Sequence, residues 1–346
     1  MTATNGPRLL AGRFRVVDLL GSGGMGAVWR VWDEREHRYA AAKVLRLQRA
    51  DALLRFVAEQ GTRVRHPHVL TPTGWAADDD QVLFTMDLVD GGSVADLVGD
   101  YGALPAPLVV TLLDQLLQAL QAVHAAGVVH RDVTPGNLLL RATGDGPPHL
   151  LLSDFGVAVR SDLPRLTTAA EVVGTRGYVA PEVLAGADPA PAADLYTVGA
   201  VAVELLTGQR PPPDASAASL RAALDGAAAP WPLLQLVRGL LEEAPQRRPP
   251  DAATARSALP AVATDGGVRP GGDGTVAVLR HLPPLPDGWE ADGPTAGRSP
   301  ARTTAGPSSA PGHSGRGLPR WYRPVLGATA GLLLLVLSAL GVLLAG

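Results

Sequence analysis

Short apolar runs broken by single polar residues open the chain, at Phe14–Leu20, Ala27–Trp32 and Tyr39–Leu45, and this pattern predicts three strands. A glycine-rich stretch, Gly21–Gly26, joins the first two. Asp51–Val64 has the character of a helix, weakened at Gly61, and Val82–Leu88 predicts another strand. From Pro105 the period changes. Leu108, Leu112, Leu116, Leu120 and Val123 recur at helical intervals and predict a long amphipathic helix over Pro105–Ala126. Helical spacing returns at Asp194–Thr207 and Leu233–Glu243, with short strands and loops before them. Strands first and helices later suggest a chain of two lobes. Residues 1–12 read as a tail, without the basic-then-apolar pattern of a signal peptide.

The pattern breaks after Pro260. Of the 60 residues in 261–320, 21 are Gly or Pro, which predicts a flexible linker, although Thr275–Leu279 has the composition of a short strand. Residues 325–346 form a run of 22 without a charge. Such a run is long enough to cross about 30 Å of hydrocarbon as a helix. Arg316, Arg320 and Arg323 precede it, with Trp321 and Tyr322 as interfacial anchors, so the expected orientation leaves residues 1–320 in the cytoplasm at the cell membrane. Gly327 and Gly331, four residues apart, offer a face on which a second copy could pack as a homodimer.

Composition narrows the chemistry. None of the 346 residues is Cys, which excludes disulfides, thiolate zinc sites and a thiol nucleophile. A net charge of −3 argues against a basic nucleic-acid binder. Among 30 basic residues, 29 are Arg and one is Lys, at Lys43. A chain that otherwise uses arginine has kept one compact ammonium, on a predicted strand behind the glycine-rich stretch. There it can meet phosphate as a point charge, which the larger planar guanidinium does differently.

The glycine-rich stretch reads Gly21-Ser22-Gly23-Gly24-Met-Gly26-Ala-Val28. Glycines let backbone amides approach phosphate oxygens without side chains in the way. A strand follows it, not a helix, which argues against dinucleotide binding. Further on, His130-Arg131-Asp132-Val-Thr134-Pro-Gly-Asn137 precedes an apolar run, and Asp154-Phe155-Gly156 follows another. Asp132, Asn137 and Asp154 supply hard oxygen donors of the kind magnesium takes together with phosphates and water. The His66-Pro67-His68 pair has no further metal-ligating residue nearby in sequence.

Taken in order, these motifs resemble the eukaryotic-type (Hanks-type) Ser/Thr protein kinases of bacteria, over roughly residues 13–258. Gly174-Thr175-Arg-Gly-Tyr178-Val-Ala180-Pro181-Glu182, Asp194-Leu-Tyr-Thr-Val-Gly199 and Arg247-Arg248-Pro249 extend the likeness. The resemblance implies an α+β, bilobal kinase fold, with an antiparallel sheet and one helix over 13–87 and a mostly helical part over 91–260. It also implies ATP and Mg2+ as cofactors, and protein serine or threonine hydroxyls as acceptors. It implies that Gly21, Ser22, Gly23, Gly24 and Gly26 cover the phosphates. Lys43 would hold the α- and β-phosphates and pair with Glu59. Asp154 and Asn137 would bind metal, and Asp132 would take the acceptor proton. Val28, Ala41 and Leu139 would enclose the adenine, with Met86 as gatekeeper and Asp87 and Val89 offering backbone groups. Glu182 and Arg248 would form a buried pair. Thr167 and Thr168 would be phosphosites of an activation loop, held by arginine.

Two departures stand out. Thr134 occupies the place where Ser/Thr kinases usually carry a lysine toward the γ-phosphate. The interval from Glu59 to His66 is also short by about two residues, or roughly 200° of helix. These features keep a second expectation open, a pseudokinase or weakly active nucleotide-binding scaffold. A small-molecule phosphotransferase of the same fold is a third, opposed by the Gly174–Glu182 segment.

Overall fold

The computed structural model describes residues 9–23, 26–46, 64–78, 81–154, 176–261 and 276–295. Gly24, nearly all of the expected helix Asp51–Val64 with Glu59, Thr167, Thr168 and the run 325–346 lie outside the described residues.

Six strands make one antiparallel sheet: β1 (Leu9–Leu10), β2 (Phe14–Gly23), β3 (Gly26–Asp33), β4 (Arg38–Arg46), β5 (Gly74–Asp78) and β6 (Gln81–Met86), in the spatial order β1-β2-β3-β4-β6-β5. The first departs from the expected tail. Leu10 pairs with Phe14 and is buried with it, because a turn at Ala11–Arg13 folds the apolar pair back onto the sheet. The last strand stops at Met86, short of the expected Leu88, and the chain then runs without regular structure through Asp87–Asp90 into the second lobe.

Register decides what faces the cleft. Val28 pairs with Lys43 across β3 and β4, and Ala41 with Met86 across β4 and β6. Paired residues share a face, and so do residues two apart on a strand. Val28, Ala41, Lys43 and Met86 therefore stand on one side of the sheet.

The second lobe is built on helices α1 (Val94–Tyr101), α2 (Ala106–Ala125), α3 (Pro181–Leu184), α4 (Pro191–Thr207), α5 (Ala217–Ala223), α6 (Trp231–Leu240) and α7 (Ala252–Ser257). Ser93 caps α1 reciprocally with Asp96, as a capping box. Every residue of α4 from Ala193 to Leu206 is buried, so it is the axis around which α2, α5 and α6 pack. Such a helix is apolar all round because it has no solvent face. Among the described residues one helix, α2, is long and apolar enough to cross a membrane, and it is mostly buried within the lobe's core.

A hairpin, β7 (Leu138–Arg141) with β8 (His149–Leu152), completes this lobe. Beyond the helices, the structure corrects the expectation of a flexible linker over Val276–Thr295. These residues pack against both lobes and end in a small hairpin of β9 (Trp289–Glu290) and β10 (Gly293–Pro294). Their anchors are backbone carbonyls and single side chains, which leave no periodic trace in a sequence. Within 276–279, Val278 forms one isolated bridge with Gly144.

Candidate active site

The β7–β8 hairpin fixes the first half of the site. Leu138 pairs with Leu152, so Asn137 and Ser153 fall opposite one another at the end of the ladder. The Ser153 amide donates to the Asn137 carbonyl at 2.9 Å, and the Ser153 hydroxyl donates to the same oxygen at 2.8 Å. Two segments about fifteen residues apart in sequence are thereby clamped, and Asp154 emerges beside Asn137. Asp154 has φ of +65°, a left-handed conformation that costs a non-glycine residue about 1 kcal/mol or more.

The side chains converge from three elements. Lys43 Nζ, from the sheet, donates to Asp154 Oδ1 at 2.7 Å, an ion pair across the cleft. Asn137 Nδ2 donates to the Asp132 carbonyl at 2.8 Å and to Asp132 Oδ2 at 2.9 Å. Burial pushes the Asp132 carboxyl above the usual carboxylate range, and neighbouring Asp154 pushes the same way, while the Asn137 hydrogen bond, His130 and Lys43 pull it back. Thr134 begins the short 3-10 turn Pro135–Asn137, with extended backbone and a carbonyl accepting from the Asn137 amide at 2.9 Å. The Lys43–Asp154 pair and the Asp132–Asn137 pair thus lie close enough for Lys43 and Asp154 to act on the Asp132 charge. Among the described residues Lys43 pairs with Asp154, and Glu59 lies outside them.

The loop carrying Asp132 hangs from Asp194 on α4, a residue only 1% exposed. Asp194 accepts from the amides of His130 and Arg131, each at 2.8 Å, and meets His124 Nε2 at 2.7 Å. A carboxylate accepting several N–H bonds in a buried site makes strong, charge-assisted contacts. They hold Arg131 at φ of +70°, so the turn before Asp132 is clamped in a strained conformation. The His130 ring, also fully buried, meets the Ser153 carbonyl at 2.9 Å and so ties the loop to the residue before Asp154. Sequence reasoning quoted Asp194 within a motif but gave it no role. Its partners are main-chain amides more than sixty residues earlier, and the one signal was an acidic residue at the start of an otherwise apolar helix.

A cavity of about 480 Å³ opens between the lobes above these groups. Val28, Ala41, Met86, Asp87, Val89 and Leu139 all line it, as do Gly21, Lys43 and Asp154. Gly26 has φ of +146°, and a Cβ there would lie 2.3 Å from the Val44 carbonyl oxygen, so the turn back from the glycine-rich stretch tolerates no side chain. Gly23 ends β2 opposite Gly26, and Ser22 sits opposite Ala27.

Below the cleft, Arg248 forms a two-pronged bond with Glu182 at 2.6 and 2.7 Å, the pair expected from sequence. It also donates to three carbonyls and lies over the Tyr196 ring at 5.0 Å. Burial raises the Tyr196 hydroxyl to about 12, so it stays protonated. Tyr178 donates to Glu204 on α4, which pins the start of the Gly177–Glu182 segment to the lobe's axis. The His66 and His68 rings stack toward His149, with centroids 5.7 and 5.0 Å apart along the row, and burial lowers the pKa of His66 and of His149. Among the described residues no group of three His, Cys, Asp or Glu is placed to hold a metal by itself.

The chain is similar to known proteins over most of these elements. The family model described as "Protein kinase domain" matches residues 14–258. "Serine/threonine-protein kinase PknA" of Mycobacterium tuberculosis is 36% identical over 200 residues, covering 55% of this chain and 46% of that protein. "Serine/threonine-protein kinase PkaA" of Streptomyces coelicolor is 35% identical over 209 residues, covering 56% and 38%. The chain therefore spans less than half the length of these relatives. Among solved structures, "Crystal structure of Rad53 1-466 in complex with AMP-PNP" aligns with a TM-score of 0.60 at 24% identity, over 70% of this chain and 64% of that one, a likeness of fold.

Proposed function

The chain belongs to the protein kinase domain family, and from that premise we propose that it is a Ser/Thr protein kinase, transferring the γ-phosphate of ATP to protein hydroxyls with magnesium. The observation that carries this reading is the Lys43–Asp154 ion pair standing over the Asp132–Asn137 hydrogen bond. It supplies a cation for phosphate, hard oxygens for metal and a carboxylate for a proton in one cleft.

The donor set fits magnesium. Asp154 offers a carboxylate and Asn137 an amide oxygen, and a cation that keeps waters and takes phosphate oxygens needs no larger protein cage. Bound there with the nucleotide, magnesium would neutralise charge on the phosphates. The remaining work falls to the chain. Lys43 exchanges its bond with Asp154 for phosphate oxygens. The amides of Gly21–Gly26 lie along the phosphates, and Val28, Ala41 and Leu139 enclose the base. Asp132, held by Asn137, orients an acceptor hydroxyl and takes its proton, a role suited to a carboxyl with a raised pKa. Little covalent chemistry is asked of the protein beyond this positioning.

The deciding experiment incubates the full chain with γ-labelled ATP, magnesium and a generic protein acceptor. Label on serine or threonine, in the acceptor or in Thr167 and Thr168 of the chain itself, supports the reading. Label appearing on small molecules alone, or nowhere, overturns it in favour of a small-molecule phosphotransferase or a nucleotide-binding scaffold.

Thr134 brings a hydroxyl where related kinases bring a charge. A charged donor bonds phosphate more strongly than a neutral one, so Thr134→Lys is expected to raise the transfer rate by roughly tenfold. An unchanged rate in a single-turnover assay would remove this account of Thr134.

Residues 325–346 are the proposed membrane anchor, with the kinase domain on the cytoplasmic side and two copies able to meet through the anchor. Tethering raises the local concentration of neighbours and favours phosphorylation between them. Removal of Leu318–Gly346 is then expected to lower phosphorylation at Thr167 and Thr168 at equal total protein, read by phosphopeptide mass spectrometry. Equal phosphorylation in the truncated chain counts against the tether.

A further inference from the structure

Val276–Thr295 lies beyond the family-matched residues, yet it lines the same cavity as Lys43 and Asp154, through His281, Leu282 and Pro283. We propose that this segment is a strap that supplies, from the same chain, the outer wall of the nucleotide site, with Leu282 and Pro283 covering the base and sugar. The proposal rests on the kinase reading and deepens it.

The strap is fastened on both lobes. On the helical side, Val278 exchanges two backbone hydrogen bonds with Gly144, at 2.9 and 3.0 Å, and is 3% exposed within that lobe's core. The His281 amide donates to the Asp90 carbonyl at 2.8 Å. Its ring lies on Gly92, where a Cβ would come within 2.9 Å of the ring, so the glycine at that position lets the strap reach the cavity mouth.

On the sheet side, Arg30 donates to the Pro283 and Pro284 carbonyls at 3.0 and 3.2 Å. Arg30 is itself buried and held by Asp18, so its guanidinium is pre-set before the strap arrives. Farther on, Tyr39 donates to the Glu290 carbonyl, and Gly293 lies flat on Trp32, where a Cβ would meet the indole at 2.6 Å.

Leu282 and Pro283 sit between these two sets of anchors. Proline at 283 and 284 stiffens the crossing, and neither residue presents an N–H to an apolar base. The Pro283 and Pro284 carbonyls are taken by Arg30. Leu282 and Pro283 thereby give the cavity an apolar stretch of wall contributed from outside the family-matched residues. Because the strap ties both lobes, nucleotide cannot leave by lobe opening without loosening it. By linkage, bound nucleotide must then hold the strap in place.

The test uses the full chain, magnesium and a fluorescent ATP analogue, with affinity read by equilibrium titration. Leu282→Ala is expected to weaken binding about three- to tenfold, the scale of losing part of one apolar side chain from a ligand contact. Val278→Asp, which unfastens the strap, is expected to weaken it at least as much. Leu279→Ala, next to the anchor but 59% exposed, is expected to leave affinity unchanged. The same analogue is expected to slow tryptic cleavage after the exposed Arg280.

Leu282 is only half-buried, so Leu282→Ala carries the test alone if Val278→Asp fails to fold. Wild type that binds the analogue while Leu282→Ala binds it equally well, or more tightly, overturns the wall. Wild type that does not bind it at all overturns the kinase reading and the wall with it.

Discussion

Asp132→Asn is expected to cut phosphate transfer by about 10²- to 10⁴-fold, the usual contribution of a positioned general base. The substitution keeps shape and volume, and Asn137 can still donate to the amide oxygen that replaces Oδ2. What disappears is the ability to take a proton from the acceptor hydroxyl. Nucleotide affinity should change little, because the role proposed for Asp132 is toward the acceptor hydroxyl and not the phosphates. Lys43→Ala should behave differently. It removes the cation that meets phosphate and leaves Asp154 without its partner at 2.7 Å, so both affinity and rate should fall. Parallel titrations and single-turnover assays of the two variants separate these patterns. A drop of less than tenfold for Asp132→Asn would mean that proton removal is not assigned correctly.

Asp194→Asn is expected to damage the site from the lobe's axis without touching a substrate. The wild-type carboxylate accepts from two backbone amides and meets His124. In the variant an NH2 group must face at least one of those N–H donors. Leaving a buried donor unsatisfied costs roughly 1–3 kcal/mol, which for a lobe of this size lowers Tm by about 2–12 °C. The loop at Arg131 is strained, so losing its clamp should let it relax and carry Asp132 away. Transfer is expected to fall by more than about tenfold, more than the lost folded fraction explains, since small displacements of a catalytic group are costly. Calorimetry together with a rate corrected for folded protein checks this. An unchanged rate at a lowered Tm would reduce Asp194 to a stabilising role.

These two positions also show what a sequence discloses. Lys43, Asp132, Asn137 and Asp154 were legible because each is a rare chemical choice in a local pattern: the lone lysine, the His-Arg-Asp loop and the Asp-Phe-Gly turn. The strands beside them were legible from short apolar runs, and α2 and α4 from their helical spacing. Asp194 was visible as a letter but not as a clamp, since its partners are backbone groups that any sequence could supply. β1 is two residues long and β5 five, too short for a period to develop. The strap was misread as linker for a related reason. Its Gly and Pro content suggests freedom, whereas its anchors are the carbonyls of Ala277, Pro283, Pro284 and Glu290, to which composition is blind.

The solitary ammonium has a practical corollary. An amine-directed acylating reagent meets a single side-chain target in the whole chain, and that target is 12% exposed and paired with Asp154. The extent of modification at Lys43, read by mass spectrometry on its own peptide and so apart from the N-terminal amine, becomes a direct gauge of whether the cleft is filled. In a lysine-rich homologue the same signal would be lost among dozens of surface adducts.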